Sequence, residues 1–436
     1  MRHSSCDQVK DSLISSIDSL LERRYEFLVN PQTDFTRTRK ISFEQTVLFP
    51  MLAGSDNVAT ELFDFFGEEK FPLPSAMIQR RNQIKPEAFQ ELFYDFGKKI
   101  PALRTFQGYL PVACDGSRIN LPYNPADYDT FIQCIKGRKG INQMHLNALY
   151  DILNNIFLDV ELQGIHEMDE QGAFCRFLDK QEPSSNHHQK RIYIADRGYA
   201  SYNVFAHAIH NQKFFLIRVQ ECFAKEICKN RDNWLTGPSH DEVVSVHIGR
   251  RKTKKSLQLE NYHYIPTGRR YDFAEEGTDN IDCLRLRVLK FAIGEDSYEY
   301  IVTNLPTYDF SLSAIKRLYN LRWNEEVAFR YLKYSANMVH IHSLKKELLL
   351  QEIYGKLTFY NFSSYLLIVM DGLQKETEKH RYVINHVQLQ KFCIRFLRGT
   401  VQNIADLISR FLVPVRPGRK FARNLRCQSA DTLTYR

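Results

Sequence analysis

Three acidic residues and the side chains around them define the chemistry open to this sequence. Asp115 follows the apolar run YLPVAC, Asp196 follows RIYIA, and Glu326 lies in SLSAIKRLYNLRWNEEVAFRYLKY, from Ser311 to Tyr334. An acid just past a core strand projects from one edge of an open α/β sheet, where sites gather. Three converging carboxylates suit hard divalent cations such as Mg²⁺ or Mn²⁺. A pair of such ions roughly 4 Å apart clamps the attacking and leaving oxygens of a phosphoryl transfer.

The 311–334 stretch reads as one long helix, capped by Ser311 and free of Pro and Gly. At roughly 100° per residue, Tyr319, Arg322, Glu326 and Lys333 fall within an arc of roughly 60°. Leu318, Leu321, Phe329 and Leu332 fill the neighbouring arc, so the polar stripe runs along the rim of the buried face. Glu325 points elsewhere, which favours Glu326 as the acid of the stripe. Arg322 and Lys333 would then hold phosphates. Bland readings stand beside these: Arg322 to Glu326 is an ordinary i, i+4 pair, Asp115-Gly116 is a turn signal, and Asp196-Arg197-Gly198 reads equally as a turn or a surface ion pair.

The elements that must position these residues form a mixed α/β layout. Residues 1–105 read as helical, with basic loops at Arg37, Arg39 and Lys40 and at Arg80, Arg81 and Lys85, a composition suited to DNA contact. Residues 106–220 hold the strand before Asp115, a hairpin turning at Asn154-Asn155, the strand before Asp196, and the buried strand FFLIRV. Residues 221–305 read as a β-rich insertion with the basic loop GRRKTKK, where Arg250 and Arg251 are candidate DNA contacts. Residues 306–340 carry the helix with the third acid, and 341–436 are helical with a basic tail, Val415 to Arg426.

Composition describes a folded chain: 43% hydrophobic and 25% charged residues exclude disordered and fibrous classes. The formal charge of +8 favours a polyanionic partner, although 59 basic against 51 acidic residues makes local clusters matter more than the sum. Nine cysteines without a CxxC read as reduced thiols in a cytoplasmic protein. The most lipid-like stretch, Leu357 to Leu373, is interrupted by Asn361, Ser363, Ser364 and Asp371, so no membrane span is expected.

The spacing Y-x2-R-x3-E-x6-K at Tyr319, Arg322, Glu326 and Lys333, with IADRGY and FFLIR around and after Asp196 and CDGSRINLP around Asp115, resembles DDE transposases of the insertion sequence 4 type. The resemblance covers roughly residues 100–345. It implies an RNase H-like core interrupted by a β-strand insertion, Asp115, Asp196 and Glu326 as ligands of Mg²⁺ or Mn²⁺, and Tyr319, Arg322 and Lys333 as contacts to transposon-end DNA. The implied activity is metal-dependent cleavage of the ends and joining of the freed 3′-OH to target DNA, by a dimer on DNA in a cytoplasmic, nucleoid-associated setting. Trp234, in the insertion, is a candidate for stacking a flipped base. Trp323 reads as a packing residue, and His145 and Asp151 read as a strand histidine and a turn aspartate. Competing readings are a catalytically inactive DNA-binding protein of the same fold and a stand-alone RNase H-like nuclease.

Overall fold

The structure is a computed structural model that describes residues 5–37, 39–133, 139–181, 190–228, 237–294, 297–377 and 380–415. Trp234 and all but the first residue of the basic tail lie outside the described residues. The chain opens with helices α1 (Cys6–Glu22), α2 (Arg24–Phe27), α3 (Phe43–Leu52), α4 (Val58–Phe66), α5 (Pro74–Arg81) and α6 (Glu87–Lys99). Three of the starts show their local cause plainly. Ser5 and Ser42 form capping boxes with Gln8 and Gln45, and Pro74 takes the first turn of α5, where its missing N–H costs nothing.

A ten-stranded sheet follows. β1 (Leu110–Leu121), β2 (Phe131–Ile132), β3 (Ile141–Asp151) and β4 (Ile156–Gly164) precede α7 (Glu170–Asp179), β5 (Arg191–Ala195), α8 (Tyr202–His210) and β6 (Phe214–Val219). The order β4-β3-β1-β5-β6, with β3 antiparallel to its neighbours and β5 and β6 parallel to β1, is that of an RNase H-like core. The hairpin turns where Asn155 takes a φ of 59°, a conformation its side chain tolerates. Asp151 accepts the amides of Leu153 and Asn154, which gives it a turn role.

α9 (Glu221–Ile227), β7 (Ser239–Gly249), α10 (Lys254–Leu257), β8 (Tyr262–Tyr264), β9 (Ile281–Ala292) and β10 (Tyr298–Thr303) make up the β-rich region. Its strands extend the core sheet: β10 pairs with β6, and the order runs on through β9 and β7 to β8.

The 311–334 stretch is not one helix. α11 (Leu312–Asn320) starts as expected, with Ser311 accepting the Ala314 amide, but the chain then turns at Leu321-Arg322 into α12 (Trp323–Arg330). A π turn over Tyr331–Ser335 ends the run and carries Lys333. Such wide turns often mark functional sites. With no Pro or Gly at either place, sequence offers no punctuation for these breaks.

Period-two alternation gives the sheet two faces. Val112, Cys114, Tyr193, Ala195, Phe215 and Ile217 pack one way, against α7 and α8. Ala113, Ile192, Ile194 and Leu216 pack the other way. There they share a core with the N-terminal helices and with α13 (Lys346–Val369), ahead of α14 (His386–Leu397) and α15 (Ile404–Ser409). α13 is buried on all sides from Gln351 to Ile368, with apolar side chains spread around its circumference and several polar ones among them. Its fully buried Leu357 and Phe362 each contribute about 2 kcal/mol by leaving water. The polar groups it buries are matched: Asn361 both accepts from and donates to the backbone of Phe157, fixing β4 against the helix.

Arg80 and Arg81 correct the loop reading of the N-terminal region. Both are buried on α5, and Arg81 forms an ion pair of 2.9 Å with Glu352 of α13. No described helix is long and apolar enough to cross a membrane.

Candidate active site

Sheet register brings the two aspartates together. β1 and β5 run in parallel until Cys114 meets Ala195, and the next residue on each chain is the acid. Neighbouring strands lie about 4.8 Å apart, so Asp115 and Asp196 sit side by side where the strands part. They share the face of Ala113 and Ile194, the face on which Ala328, Phe329 and Leu332 of the third-acid segment also pack. Asp115 is not at a strand end, contrary to the reading of Asp-Gly as a turn: β1 continues to Leu121, and Asp115 pairs with Ala148 of β3. Gly116 has a packing reason instead. A Cβ there would collide with the His145 imidazole and the Glu170 carboxylate, whose Nε2 and Oε1 lie 3.1 Å apart.

Arg322 joins the helix to the strands. Its Nη2 donates to Glu326 Oε1 at 3.1 Å, and its Nη1 lies 3.9 Å from Asp115 Oδ2. The guanidinium thus stands between two of the proposed acids, and Glu326 is on the near side of the core. Among the described residues, no three His, Cys, Asp or Glu side chains are grouped closely enough to hold a metal ion. The position between Asp115 and Glu326 is nevertheless one that a cation occupies, and the donors around it are hard oxygens of the kind Mg²⁺ prefers.

Burial drives the electrostatics. It raises the Asp115 carboxyl to about 6, against the Gly116 amide, which donates to Oδ1 at 2.8 Å, and against Arg322; Asp196 and Glu170 push the same way as burial. Asp196 accepts from the Gly198 amide at 2.7 Å and caps the short turn Arg197–Tyr199. Burial opposes the charge on Arg322, but Tyr319, Asp115 and Glu326 outweigh it and hold the guanidinium above its ordinary value. Tyr319 is pushed up to about 12 by burial, and its hydroxyl has no hydrogen-bond partner among the described residues. Lys333 is lowered by burial, and no described residue forms an ion pair with it.

Glu325 departs from the reading of its helical angle. It does not point away from the site but is 0% exposed. Burial drives its carboxyl well above the ordinary range; Asp115 and Glu326 add to the shift and Arg322 opposes it. The Asp115 amide is directed toward it, yet neither carboxylate oxygen completes a hydrogen bond. Glu326, in contrast, keeps 36% of its side chain exposed.

Other expectations fare differently. Trp323 is 48% exposed, so it is packed over only about half of its surface. Arg250 is a loop clamp: it donates to the carbonyls of Ala274, Pro266, Arg269 and Tyr271, leaving its neighbour Arg251 as the exposed member of the pair. Arg218 went unread in the sequence. It sits on β6, pairs with Glu299 at 3.2 Å, and shares with Asp196 the electrostatic surroundings of Tyr319. The available signal was a lone cation inside the otherwise apolar FFLIRV strand.

No curated protein matches the chain. A solved structure described as a piggyBac transposase synaptic complex with hairpin DNA is similar over 95% of this chain and 84% of that one, at 8% identity and a TM-score of 0.44. The strand order, rather than that loose likeness, is the ground for the fold. A family model described as a transposase DDE domain matches residues 107–362, from just before β1 into α13. That span takes in both aspartates, the β-rich region and the Arg322 segment, and the chain belongs to the transposase DDE domain family.

Proposed function

We propose that this chain is a DNA transposase that cleaves the ends of its element and joins the freed 3′-OH to target DNA, with Asp115, Asp196 and Glu326 as its metal ligands. The observation that supports this most is the register: the last β1–β5 pair is Cys114 with Ala195, and the acids follow immediately, with Arg322 linking Asp115 to Glu326. Divalent ions held by these oxygens would supply Lewis acidity and a nucleophile at neutral pH. The chain's own residues bind and orient. Asp196 is held in place by the Gly198 amide, so its free oxygen needs no reorganisation to bind a cation. Arg322 can exchange its carboxylate partners for phosphate oxygens, a geometry its planar fork suits. Lys333 offers a half-buried positive charge, and its low solvation makes a phosphate an attractive counterion. Arg251, Tyr319 and, outside the described residues, Trp234 are further candidates for contact with DNA, which would be held by a dimer.

The test uses purified full-length chain, Mg²⁺, and DNA carrying the repeats that flank its own coding region. Asp115→Ala, Asp196→Ala and Glu326→Ala should each abolish cleavage while leaving end binding within a few-fold of the unsubstituted chain. Mg²⁺-dependent cleavage surviving in any one of the three would overturn the assignment.

A further inference from the structure

The site gathers more carboxyl groups than its described arginine pairs with. Asp115 and Glu326 both approach the Arg322 guanidinium, at 3.9 and 3.1 Å, while Asp196 follows the strand residue paired with the one before Asp115, and Glu325 is buried next to the Asp115 amide. The nearby Arg218 is paired with Glu299 at 3.2 Å, so it does not serve these carboxyls. Glu325 is the extreme member. It is 0% exposed, and both of its oxygens lack a hydrogen-bond partner among the described residues. An unpaired carboxyl is among the least favourable groups to bury, and a packing role at this position would be met better by a hydrocarbon of the same volume. The helix explains the placement. Glu325 and Glu326 are consecutive, so at roughly 100° per residue one carboxylate is carried along the rim while the other is turned inward beneath Asp115.

We infer that Glu325 is a fourth carboxylate of the cation site, ligating from its buried side the divalent ion that Asp115 holds from β1. The inference rests on the proposed metal-dependent function but assigns a residue outside the acidic triad. A hard oxygen already stripped of water next to the Asp115 backbone needs no dehydration when the ion arrives, which favours tight binding. The buried oxygens would gain their missing partner in the same event. An isosteric amide retains a neutral oxygen but loses the charge, and an isoleucine loses both.

The experiment is Mn²⁺ binding to the full-length chain without DNA, read by the loss of the free-ion electron paramagnetic resonance signal. It is paired with the Mn²⁺-induced rise in melting temperature. E325Q should weaken Mn²⁺ binding at least tenfold and shrink the melting shift, and E325I should do the same in a protein that melts higher than the unsubstituted chain without metal. D115N is the control for the site itself. If D115N loses binding while E325Q and E325I keep the unsubstituted affinity, Glu325 is no ligand and the inference falls, with the proposed function intact. If D115N also binds Mn²⁺ normally, the proposed metal site is misplaced and both readings fall. E325I protects the result against misfolding, since it removes the unpaired acid rather than adding one.

Discussion

Two arginines, Arg81 buried and Arg322 largely so, make opposite uses of the same chemistry. Arg81, on α5, donates to Gln351 Oε1 at 3.1 Å, Glu352 Oε1 at 2.9 Å and the Leu348 carbonyl at 2.7 Å. Its partner is equally well served: burial alone would raise the Glu352 carboxyl, but Arg81 and hydrogen bonds from His342 and Ser343 bring it down to about 2. Around Arg322 the carboxylates move the other way. Asp115 rises to about 6, burial also drives the Glu325 carboxyl upward, and the nearer partner oxygens lie at 3.1 and 3.9 Å. The first cluster completes its hydrogen bonds inside the chain and spends them on joining α5 to α13. The second leaves groups short of partners, and that shortfall is available to a ligand. Burial of charge alone therefore separates neither role; completeness of pairing does.

The contrast can be broken most directly by removing each arginine. Arg81→Met should lower the unfolding free energy by about 3–5 kcal/mol, the usual cost of stranding one member of a buried pair. Arg322→Met should cost less than half of that. Chemical denaturation compares them, and equal losses would erase the distinction. A pH series sharpens it. The Glu352 carboxyl is depressed in the folded state from 4.5 to about 2, so its stabilisation is present above about 4.5 and is lost as pH falls toward 2. That loss is about 3 kcal/mol, and Glu352→Gln, already weakened at pH 7, should show a correspondingly flatter acid limb. Asp115 has the opposite sign. Its folded-state value is raised from 3.8 to about 6, so stability declines as pH climbs through that window. Asp115→Asn should therefore raise stability at pH 8 by about 1–3 kcal/mol while cleavage disappears. A neutral or negative change in the melting temperature at pH 8 would remove Asp115 from the class of strained functional groups.

Much of this was legible in local sequence. The Ser311 cap, the Asn155 turn and the strand before Asp196 all depend on neighbours within a few residues, and they form where read. The site was legible as residue types in spacing. What escaped depends on distant partners. Arg81 reads as a surface cation because the glutamate that buries it lies in α13, on the other side of the whole sheet in sequence. Asp115-Gly116 reads as a turn because the cause of the glycine, a close approach by His145, lies on a different strand. Glu325 escaped for another reason: acids are expected to face water, so a helical wheel that turns one inward is read as turning it away.

The placement of α13 has a consequence for how the chain is made. Helices α1, α3 and α6 pack their apolar faces on a segment that begins at Lys346, about 250 residues after α6 ends. Synthesis at roughly 5–20 residues per second leaves those faces without their partner for on the order of ten seconds or more. During that interval the nascent N-terminal helices expose leucines and phenylalanines that have nowhere native to go. Helices α1, α3 and α6 are thus among the last elements to finish folding although they emerge well before α13, and the half-made chain is a natural client for whatever shields apolar surface at the ribosome.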